Sequence, residues 1–349
     1  YRSMADYLSS AFLAAQAEIT PDYNSPELRE QQNPILLTGL NNQNYLMVNA
    51  ESIKESEKRA VKGYQWKRMD ADNGTTVSHN FTGSQGDSIE VDLNWNIFSE
   101  KFSLYQSAGA DNVYNTQQMM VNQMLQKMRI IRERMGRSLL TNLHAGRTAT
   151  SNAVVRNASF NDTKNAFEVA LSDKELFFSS VRSVMEQHNY SGPLDFIADP
   201  VLALIARNVA AQGSNNGVNQ AYQLQGMNVM QHTALGSDVA VDAYTSGGVG
   251  IALPQYSFSF IPWLPARYRN GGGSIADYNG IYAVIPEDTG LPINYSFRGY
   301  TLRADGSANG GTTDDLVTHV QIAAWVATQV AEISASNESP IYEFALLQS

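Results

Sequence analysis

Between Asp111 and Arg147 the chain has no proline, and only one glycine, Gly136, ahead of Gly146 at the end. Met120, Met124, Met128, Ile131, Met135, Leu139 and Leu143 recur there at steps of three or four, which puts them on one face of a helix. Roughly 35 residues at about 1.5 Å each make a rod on the order of 50 Å long, about three times the usual helix. A compact enzyme core has little use for such a rod. A subunit that carries load across an extended, flat body does. The same stretch holds Lys127, Arg129, Arg132, Arg134, Arg137 and Arg147 against Asp111 and Glu133, a local excess of positive charge in a chain whose net charge is −10. Such a run reads as a solvated helix face, or as one that meets acidic neighbours or a polyanion.

At 349 residues the chain can bury a large core and divide into about two domains. With 43% hydrophobic and 17% charged residues, wholesale disorder is not expected. Net acidity argues against a protein that grips nucleic acid by neutralising phosphates. It is compatible with a wall that encloses nucleic acid without holding it. There are no cysteines, so disulfides, thiolate metal sites and cysteine nucleophiles are excluded. No apolar run reaches the ~18 residues of a membrane span, and no charged-then-apolar signal segment opens the sequence. The first residue is Tyr1, not methionine, as at an arbitrary boundary or after proteolytic removal of a leading piece.

Ahead of the long helix, Asp6 to Ile19 is a short amphipathic helix candidate, Pro26 and Pro34 break the chain, and Ser52 to Lys62 is a charged stretch. This reads either as an arm lying along another surface or as a helix packed on its own core. Residues Gly63 to Gln106 read as β. Thr75 to Thr82 is one run, Gly83 to Asp87 is turn chemistry, and Ile89, Val91, Leu93, Trp95 and Ile97 alternate with Glu90, Asp92, Asn94 and Asn96. A hairpin with one apolar face needs a surface to cover it. The expectation is that sister copies of the chain cover this face and the apolar face of the rod.

After the helix, Ser172 with Glu175 forms a capping-box pattern before a helix running to about Gln187. Leu194 to Ala198 is a short strand, and Asp199-Pro200 opens the next helix as N-cap and first-turn proline. Val201, Leu202, Leu204, Ile205 and Val209 form its expected apolar face. Strands are expected at Gly226 to Met230, Val239 to Tyr244, Ile251 to Leu253, Tyr256 to Ile261, Ile281 to Ile285, Tyr295 to Leu302 and Ile341 to Leu347, with Gly247 to Gly250 as a turn. From Val317 to Ile333, Val320, Ile322, Ala324, Val326, Thr328 and Val330 alternate over an unusual length; β-branching favours one long strand there over a helix.

Little in the sequence announces chemistry. His79, His144, His188, His232 and His319 show no metal-site spacing. Asp70 to Gly74 starts like a calcium loop, but Phe81 stands where the twelfth-position glutamate is needed. The glycine loops Gly247 to Gly250 and Gly271 to Gly273 lack the lysine and hydroxyl of a P-loop. No nucleophile elbow occurs. The Asn-x-Ser/Thr matches, such as Asn157 and Asn189, read as coincidence in an asparagine-rich chain. No catalytic, cofactor-binding or metal-binding residues are assigned, and a structural, non-enzymatic protein is expected; a hydrolase with dispersed carboxylates is the enzymatic alternative.

Taken in order, Ser88 to Leu104 (SIEVDLNWNIFSEKFSL), the helix Asp111 to Arg147, then LSDKELFFSSVRSVMEQ, DFIADPVLALIARN and LQGMNVMQHTAL resemble the major capsid proteins of tailed bacteriophages, the Hong Kong 97-type fold also found in encapsulin shells. The resemblance implies an α+β fold with an N-terminal arm (1–61), an extended E-loop hairpin (62–106), a peripheral domain with the spine helix (107–171), a mixed α/β axial domain (172–285) and return strands of the peripheral domain (286–349). It implies a homo-oligomer of pentamers and hexamers forming an icosahedral head around double-stranded DNA, without sequence-specific binding. Assembly would take place in the host bacterial cytoplasm, with the product in the virion. Scaffolding, portal and decoration proteins are the implied partners; no cofactor, metal or membrane is. A tail or adhesin-like component, or an encapsulin-type cargo shell, is the alternative. Trp95, Lys101, Arg129, Arg132, Arg134 and Arg137 are the candidate intersubunit contacts. Lys101 is also a candidate donor for the lysine–asparagine crosslinks that some members make.

Overall fold

The computed structural model describes residues 34–47, 49–50, 52, 60–66, 88–105, 107, 116–212, 224–239, 247–263, 274–275, 280–286, 293–309, 312–333 and 338–347. In chain order the elements are α1 (Pro34–Asn41), α2 (Gln43–Leu46), β1 (Ala60–Trp66), β2 (Ser88–Asn94), β3 (Asn96–Tyr105), α3 (Thr116–Ala145), β4 (Ser159–Asn161), β5 (Ala166–Val169), a 3₁₀ turn (Leu171–Leu176), α4 (Phe177–Gln187), β6 (Leu194–Ala198), α5 (Pro200–Gln212), β7 (Met227–Gln231), β8 (Gly248–Pro254), β9 (Phe258–Trp263), β10 (Ser274–Ile275), β11 (Gly280–Pro286), β12 (Asn294–Ala304), β13 (Asp315–Val330) and β14 (Tyr342–Leu346). This is an α+β fold, as expected. The amphipathic segment at Asp6 to Ile19, the Thr75 to Thr82 run and the Asp70 to Gly74 loop lie outside the described residues.

The chain divides into two units. One takes Trp95–Leu140 and Pro262–Ala327 together with residues 34–37; the other takes Thr38–Asn94, Thr141–Ile261 and Thr328–Ser349. The first is built on an antiparallel sheet in the order β10-β11-β12-β13-β3. Its longest strand, β13, is the long strand expected from the alternation, 16 residues in length. Alternation puts buried Asp315 and Val317 on one face and buried Val320 and Ile322 on the other, and every residue from Ile322 to Ala327 is buried. Both faces of the strand are covered there, which is why Ala and Val replace polar residues on what would otherwise be its outer face.

The second unit is built on a mixed sheet in the order β4-β5-β14-β8-β6-β7, in which β5 with β14 and β6 with β7 run parallel. The parallel pair is closed by α5, a β-helix-β crossover of the kind that parallel neighbours require. Phe177, Phe178, Val181, Val184 and Met185 of α4, Leu202, Ala203 and Ala206 of α5, and Phe167, Phe196, Phe344 and Tyr342 of the sheet make one core cluster. On the opposite face, Thr38 Oγ1 of α1 reaches Met230 Sδ at 3.3 Å.

Several local expectations change in the structure. Pro34, read as a breaker, is the first residue of α1, a position where a missing N–H costs nothing. The capping box at Ser172 and Glu175 does not form: those residues lie in the 3₁₀ turn, and α4 starts at Phe177 without a side-chain cap. Asp199 does cap α5, its Oδ1 accepting from the Leu202 amide at 2.7 Å. The buried stripe of α5 is Leu202, Ala203 and Ala206, while Val201 and Leu204 face outward. Gly248 and Gly250 are strand residues, not turn residues. A Cβ at Gly250 would enter the Phe196 ring and one at Gly248 would meet Leu202, so these glycines make room for the core.

Candidate assembly surface

β1 and β2 form a two-stranded antiparallel sheet in which Lys62 faces Asp92, Tyr64 faces Glu90 and Trp66 faces Ser88. Alternation divides the two faces cleanly. Gly63, Gln65 and Leu93 are buried on the inner face, and Ile89 and Val91 are half-buried. Met47 fills the space above Gly63, where any Cβ would collide with its methyl group and press on Leu93. Gln65 Nε2 donates to the Val330 carbonyl at 3.2 Å. The chain therefore covers the inner face of the hairpin base itself, and the expectation that sister copies cover it is corrected. The sequence hides this because Met47 and Val330 are remote in the chain.

The outer face is different. Trp66 is 74% exposed and Tyr64 42%, and Lys62, Ser88, Glu90 and Asp92 are exposed beside them. Lys62 pairs with Glu90, whose hydrogen bond holds the lysine above its ordinary range. The result is a bare aromatic pair in a polar, acid-rich setting. No hydrophobic pattern marked it, because tyrosine and tryptophan here occupy positions that read as the polar side of the alternation.

At Trp95 the strand changes partners: β2 pairs with β1, whereas β3 pairs with β13. The expected single alternating strand from Ile89 to Ile97 is broken there, and Ile97 points outward. Trp95 itself is buried and stacks on Trp263 with ring centroids 5.1 Å apart. Its ring is packed inside its own chain.

The apolar face of α3 is also satisfied internally. Met124, Met128, Ile131, Met135, Leu139 and Leu143 are all buried, and Met120 is half-buried. This corrects the expectation that the rod leaves that face for sister copies. Each such side chain removed from water contributes about 1.5–3 kcal/mol.

The basic residues of α3 do not share one role. Arg132 is buried, 7% exposed, so it does not lie on a solvated face. Arg129 makes an ion pair with Glu133 one turn on, at 3.9 Å. Arg134 pairs with Glu100 of β3, and so does Lys127, at 3.1 Å. Lys127 and Arg134 stand seven residues apart on one side of the helix, so one largely buried carboxylate clamps two successive turns. The acidic neighbour anticipated for this helix is thus Glu100 of the same chain. Arg137 is exposed, as is Lys101 opposite Gln321 on β13.

The histidines are engaged locally. His188 Nε2 lies 2.8 Å from Ser151 Oγ, and His319 Nδ1 lies 2.7 Å from Ser103 Oγ. His144 Nδ1 lies 2.7 Å from Glu343 Oε2, and His232 Nδ1 accepts from the Ala234 amide. His79 lies outside the described residues. Among the described residues no group of three or more His, Cys, Asp or Glu could hold a metal ion, and no helix is long and apolar enough to cross a membrane.

No protein-family model matches the chain, and no curated protein matches it. Solved phage structures are similar to it. One from Mycobacterium phage Adephagia is 10% identical, covers 97% of this chain and 98% of its own, and has a TM-score of 0.47. The Cyanophage Pam1 capsid asymmetric unit is 8% identical, with coverage of 85% and 87% and a TM-score of 0.45. The capsid of Ralstonia phage GP4 is 7% identical, with coverage of 82% and 83% and a TM-score of 0.43.

Proposed function

We propose that this chain is a structural shell subunit: a phage major capsid protein whose copies gather as pentamers and hexamers into a closed head around double-stranded DNA. The observation that carries the reading is the outer face of the β1–β2 sheet. Its inner face is fastened to its own chain, while Trp66 and Tyr64 on the outside are left to water. Large aromatics bared on a rigid two-stranded ribbon are anchors for another surface. The run of elements supports the same reading: a hairpin, a 30-residue helix, a helix-strand-helix unit and a 16-residue late strand follow the order of the resembled capsid family. In that reading the hairpin belongs to the E-loop, α3 is the spine, residues 172–285 form the axial domain, and Lys101 and Arg137 are rim contacts. The net charge of −10 suits an inner wall that lets packaged DNA move. Contacts between different patches on successive copies close into rings, and a shell combines several such closures.

The test is negative-stain electron microscopy and size-exclusion chromatography of the purified chain across salt and concentration. Closed particles or capsomer rings are expected. Open tubes would point instead to a tail component, and a monomer under every condition would overturn the proposal.

A further inference from the structure

Two buried carboxylates lie on the sheet face of the second unit that is turned away from the phenylalanine core. Along β6, Leu194, Phe196 and Ala198 enter that core, so alternation turns Asp195 and Ile197 to the other face. Along β14, Tyr342, Phe344 and Leu346 enter the core, which turns Glu343 the same way as Asp195. Glu343 is fully buried and has cationic partners: its Oε2 lies 2.7 Å from His144 Nδ1 and 3.4 Å from Arg147 Nε. Asp195 has none. It is 1% exposed. Its Oδ1 accepts from Asn228 Nδ2 at 3.0 Å, and its Oδ2 is buried without a hydrogen-bond partner. Its cross-strand neighbours are Asn228 on β7 and Leu253 on β8, both uncharged. The other charged groups near this face, among the described residues, are already engaged. Glu343 is held by His144 and Arg147, Glu168 of β5 by Lys164 at 3.5 Å, and Asp199, just past β6, by the Leu202 amide.

We propose that Asp195 is a proton-operated lock of this sheet: it sits between Asn228 and Leu253 as a carboxylic acid, and its ionisation loosens β7 from β6. A neutral carboxyl suits an apolar setting with a single amide donor, whereas a carboxylate there has no countercharge. Burial pushes the Asp195 carboxyl above the usual carboxylate range, and the hydrogen bond from Asn228 only partly offsets this. The sign follows from linkage. Stability from a group with a raised folded-state value is fully present below the ordinary aspartate value of about 3.9, and is lost as pH climbs through the raised value. Among the described residues β7 pairs only with β6, so it is the strand that yields first.

The experiment is thermal unfolding of the full chain from pH 4 to pH 9 as wild type, Asp195→Asn and Asn228→Ala. The wild-type midpoint should fall with rising pH in a step that Asp195→Asn removes. That variant should melt about 2–4 °C above wild type at the alkaline end and match it at the acid end. Asn228→Ala, which deletes the one donor, should enlarge the step. Infrared titration of the chain carrying isotope-labelled aspartate reports the protonation state directly, even if Asp195→Asn does not fold. Burial also pushes the Asp199 carboxyl up, so the spectrum is taken in an Asp199→Asn background, where a carboxylic-acid band persisting well above the ordinary aspartate range supports the proposal. A step unchanged in Asp195→Asn, or aspartates that all ionise in the ordinary range, overturns it.

Discussion

The inner face of α3 and the outer face of the β1–β2 hairpin both carry large apolar side chains, yet the fold treats them in opposite ways. Met124 through Leu143 on the helix are closed off by their own chain. Trp66 and Tyr64 on the hairpin are left in water, although the opposite face of the same two strands is covered by Met47 and tied to Val330 through Gln65. The contrast separates residues that fold the chain from residues left exposed to meet another surface. Hydrophobicity alone does not make that distinction; which face the chain turns inward does.

The contrast is tested most severely at Met128. It is 3% exposed, so Met128→Asp places an unpaired charge in the interior and should cost about 3–5 kcal/mol or more. The expected outcome is loss of soluble folded chain by circular dichroism, not merely loss of assembly. Leu139→Ala, on the same face, should lower unfolding free energy by about 2–5 kcal/mol in a denaturant titration while leaving the fold intact. If either substitution leaves stability untouched and affects only assembly, the helix face belongs with the hairpin after all. Glu100→Gln should have a smaller effect, about 1 kcal/mol, because it weakens the clamp on Lys127 and on the more exposed Arg134. Its loss should shrink in high salt. Trp66→Ser should be nearly neutral for stability, within about 0.5 kcal/mol, and should act on association instead.

Much of the architecture was legible because it rests on local periodicity. The helix, the 16-residue strand, the Asp199 cap and the β-helix-β unit all follow from spacing that one segment carries by itself. The candidate assembly surface was much less legible. Alternation around Leu93 marked a hairpin face needing cover, but the cover is supplied by residues such as Met47 that no local pattern connects to it. Trp95 interrupts the strand because it stacks on Trp263, far along the chain. The basic residues of α3 suggested a single face, but Arg132 turns inward and Glu100 engages Lys127 and Arg134. The glycines at 248 and 250 looked like a turn, because their need for space comes from Leu202 and Phe196 on other elements. In each case the missing information was a long-range contact, to which periodicity is blind.

Negative-stain microscopy of the wild-type chain beside a Trp66→Ser variant, both folded by circular dichroism, addresses self-assembly through the hairpin's outer face directly. Closed particles or rings in the wild type, and their absence or marked depletion in the variant, are the predicted result. Identical particles in both, or a dispersed monomer in the wild type under all conditions, would contradict it.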